Sequence, residues 1–217
     1  MSAQRAQDIA QYVAEGMRDA RAHIAGVIAL GIAILEHEYS AGIASGVAGV
    51  ERRSSAVVAT VLRDYGDLMR LAEYGRFLPR DTDTLIKLNL SWTKYFPACS
   101  SQPWQLEGVV KTLVEDGYPR KRLLPVENKT VVTNPRKGAK NNRWMPVFEK
   151  YGLDFIPLPE VEWTVYEFKS ELLKLNQIFP EGICIPRMFI GRNVLHLPTV
   201  KTHGHSVTTG AVKNALF

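Results

Sequence analysis

From Asp83 onward, short aliphatic runs alternate with helical stretches stopped by glycine, and this alternation limits the possible folds more than any other feature. Residues 84–88 (Thr-Leu-Ile-Lys-Leu) read as a strand that ends in Asn89. Residues 103–116 read as a helix, with Pro103 in its first turn and Gly117 just past its end. A second strand is expected over 122–126 and a second helix over 144–151, stopped by Gly152. Residues 154–158, 164–168 and 193–197 supply further strands. Parallel strands need long crossovers, and intervening helices provide them. The expected fold class is therefore α/β: a mostly parallel sheet with helices on both faces, preceded by an α-helical N-terminal segment.

That N-terminal segment has its own pattern. Ile9, Val13, Met17, Ala20 and Ile24 recur at steps of four and three, which makes an amphipathic helix, and the apolar run 25–35 follows. Gly42, Gly46 and Gly49 have the wrong spacing for a dinucleotide-binding turn, and no strand precedes them, so they read as a small-residue packing face or a loop. A longer helix is expected over 55–74, burying Val58, Val61, Leu62, Tyr65, Leu68, Met69 and Leu71 and stopping near Gly75. Residues 1–54 are thus taken as a helical appendage and 55–217 as the α/β domain.

Composition limits the chemistry. With 217 residues, 46% of them hydrophobic, the chain can bury a core without disulfide or metal staples. Cys99 and Cys184 lie far apart, which excludes a disulfide framework, a zinc ribbon and any iron–sulfur cluster ligated wholly by this chain. The residues alone assign no cofactor. Residues 1–82 hold 9 basic and 10 acidic side chains, and the remainder hold 18 and 12, so an anionic partner is expected in the C-terminal part. The run 25–35 is shorter than the ~20 residues of a spanning helix. The mixed-charge residues before it do not resemble a signal peptide. The expectation is a cytoplasmic protein with no membrane partner.

Two polar constellations fall where ligands bind in open α/β sheets, beyond the carboxyl ends of strands. The first is Lys87 and Asn89, two apart and so directed to one face of an extended strand. The second runs from His196 to Asn214 and holds three imidazoles, two ammonium groups, five hydroxyls and one amide. A small anionic ligand suits this inventory. Lys201 and Lys213 supply charge, while Thr202, Ser206, Thr208, Thr209 and Asn214 supply hydrogen bonds. Gly210 allows close backbone approach, and a helix is expected to begin after Thr208 or Thr209. Lys201 and His203 are the candidate catalytic residues, His203 as a proton donor because an imidazole titrates near neutral pH.

Other readings are weaker. No carboxylate or thiol accompanies His196, His203 and His205, so no metal site is assigned. Residues 204–208 approach a nucleophile elbow, but Thr208 stands where glycine is required, so a hydrolase is discounted. Cys99 precedes a helix start, a placement that can activate a thiol, although isolated cysteines are more often inert. Residues 120–143 carry eight Lys/Arg against Glu127 alone, and 133–142 read as an exposed flexible loop. The alternative function is therefore a non-catalytic module that binds nucleic acid or an acidic partner through this segment. Nucleic acid is disfavoured because no aromatic residues are interleaved to stack on bases.

The two constellations together carry a resemblance. Lys87-Leu88-Asn89, Leu197-Pro198-Thr199-Val200-Lys201-Thr202-His203 and Thr209-Gly210-Ala211-Val212-Lys213-Asn214 resemble the signatures of the domain of unknown function family 362. Leu88 stands where proline is common in that family. The resemblance spans about residue 57 to the C-terminus. It implies an α/β domain with a ligand site at these motifs. Many relatives continue into a ferredoxin-like iron–sulfur module, so it also implies an oxidoreductase-like or cofactor-dependent activity with an iron–sulfur or other redox partner. This sequence stops directly after the second signature, and the expectation is a short form or a truncated one.

Overall fold

A computed structural model describes residues 51–169, 174–203 and 207–215. The helix expected over 9–24, the apolar run 25–35 and the glycines of 42–49 lie outside the described residues. The first described element is α1 (Glu51–Leu71). Then come β1 (Thr84–Lys87), α2 (Pro103–Glu115) and β2 (Leu123–Glu127). Next are α3 (Pro135–Asn141), α4 (Met145–Tyr151) and β3 (Ile156–Pro157). β4 (Trp163–Tyr166), α5 (Leu175–Ile178), β5 (Ile183–Pro186) and β6 (Asn193–His196) follow. β7 (Lys201–His203), β8 (Val207–Thr209) and α6 (Ala211–Ala215) are the last.

Four strands form one parallel sheet in the order β3-β2-β1-β6. β1 lies inside it, with Lys87 in register with Val126 on one side and His196 on the other. Every residue of β1 is buried, as expected of a parallel strand covered on both faces. On one face Ile86, Leu88, Leu123 and Leu195 join Tyr65, Leu106 and Phe148 in the main core beneath α1, α2 and α4. On the other face Leu85, Val126 and Leu158 form a smaller cluster. Two 3₁₀ turns, Leu158–Glu160 and Arg187–Phe189, cover that cluster. The α/β architecture holds, with α-helices on the larger face and helical turns on the smaller. Gly108 lets α1 and α2 approach closely, since a Cβ there would stand 2.8–3.0 Å from the Tyr65 side chain.

Three expectations are corrected. Leu71 is 66% exposed rather than buried. α1 ends there, Glu73 takes a left-handed φ of 50°, and Tyr74 enters the core instead, stacked on Tyr118. Asp116 fastens this turn by accepting from the Tyr74 hydroxyl (2.8 Å) and from Arg70 (2.9 Å). Residues 133–142, expected to be a flexible loop, contain α3. Asn134 caps it by accepting from the Lys137 N–H (2.9 Å), Pro135 presets its first turn, and Gly138 and Ala139 are buried, Gly138 against Leu90. The strand expected over 164–168 is β4, which lies outside the parallel sheet in an antiparallel ribbon with β5. β5 was not anticipated.

Candidate functional site

The carboxyl ends of β1, β2 and β6 form one rim. Lys87 ends β1, but its ammonium does not face solvent. It donates to Glu127 Oε1 (2.7 Å) and to the Leu88 carbonyl (2.8 Å), and both side chains of the ion pair are buried. The Glu127 carboxylate also accepts from the N–H groups of Asn128 and Leu90, each at 2.7 Å. One short bond thus joins two opposite charges in a dry setting and three more tie them to the backbone, the arrangement that makes such a pair tolerable. The structure gives Lys87 a compensated charge, so what it offers the rim is its carbonyl, which accepts from Leu197 N (2.8 Å) and Asn214 Nδ2 (3.3 Å). The sequence reading missed Glu127. Its signal was a charged residue closing an apolar strand, as Lys87 does.

Asn89 is the junction of the two constellations. Its Oδ1 accepts from Lys201 Nζ (3.1 Å) and Ser91 Oγ (3.3 Å), and its Nδ2 stands 3.5 Å from Asn214 Oδ1. Partners more than 100 positions apart in sequence therefore share one amide. Ser101 fixes this geometry. Its Oγ accepts from Asn89 N (2.8 Å) and donates to the Leu197 carbonyl (2.6 Å), tying the ends of β1 and β6 together.

The hairpin β7–β8 divides the remaining candidates. Lys201 pairs with Thr209, Thr202 with Thr208, and His203 with Val207. Alternation puts Lys201, His203 and Thr209 on one face and the exposed Thr202 and Thr208 on the other. Thr209 is buried and donates to the Thr199 carbonyl (2.7 Å). Gly210 leads into α6, where Lys213 is exposed and Asn214 buried. Thr199 Oγ1 and Gln105 Oε1 are buried with no partner among the described residues, next to the segment that carries Lys201. His205 and Ser206 lie outside the described residues.

His196 lies beside Lys87, and burial together with that ammonium lowers its pKa to about 4. Asn214 Nδ2 sits 3.4 Å from its Nδ1. An amide NH₂ only donates, so Nδ1 accepts and the proton is on Nε2. The imidazole is neutral at pH 7. The unfolded chain, with an ordinary pKa near 6.5, binds this proton first, so stability falls as the pH drops from 6.5 to 4. The loss amounts to about 3 kcal/mol. Urea unfolding of His196→Gln should show a flatter stability profile than wild type across that window.

Other candidates are dispersed. Arg120, Lys121 and Arg122 form a 3₁₀ turn at the amino end of β2, with Arg122 paired to Asp83 (3.7 Å). Lys129 to Arg143 lie beyond its carboxyl end. The basic segment is therefore two patches separated by a strand. Cys99 is half-buried and Cys184 exposed, both as free thiols. Among the described residues, no three His, Cys, Asp or Glu side chains are grouped to hold a metal. No helix among them is long and apolar enough to cross a membrane.

No curated protein and no solved structure matches the chain. The model of a family described as a domain of unknown function (DUF362) matches residues 84–217, which begin at the first residue of β1 and include both polar constellations. α1, which the sequence resemblance took in, stands before the matched span. The chain belongs to the DUF362 family.

Proposed function

We propose that the rim formed by Asn89, Lys201 and Asn214 binds a small anionic ligand, a substrate or cofactor of an enzyme-type site. The observation that carries this reading is the 3.1 Å contact between Lys201 Nζ and Asn89 Oδ1, which draws a cation from one signature onto the amide of the other. With Lys87 neutralised by Glu127 and His196 uncharged, Lys201 supplies the positive charge here. A charge-assisted hydrogen bond to it is worth about 1.5–3 kcal/mol. The buried Thr199 hydroxyl, which has no partner among the described residues, supports the reading, since such a group costs about 1–3 kcal/mol unless something else bonds it. His203, on the same hairpin face as Lys201, is the candidate for proton transfer. A redox role with an iron–sulfur or other electron-carrying partner follows from family analogy alone.

Thermal unfolding with inorganic phosphate tests this. At ten times the dissociation constant the ligand adds about 1.4 kcal/mol, or about 3–5 °C for a chain of this size. Lys201→Ala should fold normally and lose most of that shift. An equal shift in wild type and Lys201→Ala would retire the proposal.

A further inference from the structure

We infer that the loop following β1 and the basic segment following β2 together form a platform for single-stranded nucleic acid. The sequence offers no aromatic residues within the basic stretch; the fold supplies them from elsewhere. Trp92, Tyr95 and Phe96 are exposed large side chains in the loop after β1, with Trp92 and Phe96 in edge contact at 6.4 Å between centroids. Thr93 anchors this loop to the basic segment: its Oγ1 donates to the Val132 carbonyl (3.3 Å) and accepts from Asn134 N (2.8 Å). Asn141 Nδ2, at the end of α3, donates to the Thr93 carbonyl (2.9 Å). Arg143 completes the junction, its guanidinium 5.7 Å from the Tyr95 ring centroid.

The charge is equally available. Lys94, Lys129, Lys137 and Lys140 are exposed and form no ion pair among the described residues, in contrast to Arg136, which is engaged by Glu160. Exposed rings beside unpaired cations match what a single strand presents, bases with free π-faces along a phosphate backbone. A duplex keeps its bases stacked and has no use for the rings, and an acidic peptide offers charge without a stacking face. Because the loop is fastened at Thr93 and packed through Leu90 onto Gly138, the platform is preorganised.

Fluorescence anisotropy of a labelled oligothymidylate of about twelve nucleotides, with the full chain, tests this. The four lysines together with Arg143 predict a log–log salt slope of about −3.5, roughly a hundredfold loss between about 50 and 200 mM salt. Trp92→Ala with Phe96→Ala should weaken binding by about fivefold to over a hundredfold per base lost, with the slope retained. Lys137→Glu with Lys140→Glu should flatten the slope. All four positions are exposed, and thermal unfolding verifies that both variants fold. Undiminished affinity in the aromatic variant would overturn the inference. So would equal binding of a duplex, of labelled polyglutamate or of a mononucleotide, or no binding at the lower salt.

Discussion

Glu127→Ala is expected to cost about 3–5 kcal/mol of stability. The carboxylate compensates Lys87 and accepts from the backbone of Leu90 and Asn128, and all of these lie at a dry strand end. Removing it leaves one charge and two N–H groups without their carboxylate, and Lys87 then keeps its bond to the Leu88 carbonyl. The measured quantities are the urea midpoint and the slope, which read separately distinguish a loss of stability from a change in compactness. The double change Lys87→Met with Glu127→Leu removes both charges and should cost less than Glu127→Ala alone, because apolar isosteres replace buried pairs at little net expense. A loss below about 1 kcal/mol in Glu127→Ala would mean that the pair is solvated and that the rim is not built as described.

Trp144→Ala should have a similar effect, about 3–5 kcal/mol. Trp144 is the largest fully buried side chain among the described residues, in edge contact with Phe155 at 6.4 Å. Its indole N–H donates to the Ser101 carbonyl at 2.7 Å. Trp144→Phe keeps much of the apolar contact but leaves that carbonyl without its donor, so it should cost about 1–3 kcal/mol. The two variants therefore separate volume from hydrogen bonding. Ser101 also holds Asn89 and Leu197, so loosening it reaches the rim. The expected observation is a lower melting temperature in both variants, with a weaker phosphate response in Trp144→Ala measured well below its unfolding transition.

The parallel sheet was legible because its strands are short apolar runs between glycine- and proline-marked helices, a signal local in sequence. β1 and α2 begin at Thr84 and Pro103 as the pattern indicates. α3 was not legible, since its stability comes from an Asn134 cap and a Gly138–Leu90 contact that only the fold creates. The ribbon strand β5 was missed for a related reason: a four-residue element defined by its partner has little pattern of its own. At the site, the residue types of both constellations were readable, and the structure brings Asn89, Lys201 and Asn214 together. The charge balance was not readable. Whether Lys87 faces a ligand or a carboxylate depends on a residue 40 positions away on the next strand. Thr202 and Thr208 likewise resemble Thr209 in sequence, and only the hairpin register separates them.

The measurement that bears most directly on the rim is a double-mutant cycle on phosphate affinity with Asn89→Ser and Lys201→Gln, read by isothermal titration. If the two signatures share one ligand, each single change weakens binding by about tenfold and the double is hardly weaker than either, a coupling of about 1.4 kcal/mol. Losses that multiply to about a hundredfold would show two independent contacts and contradict a shared site.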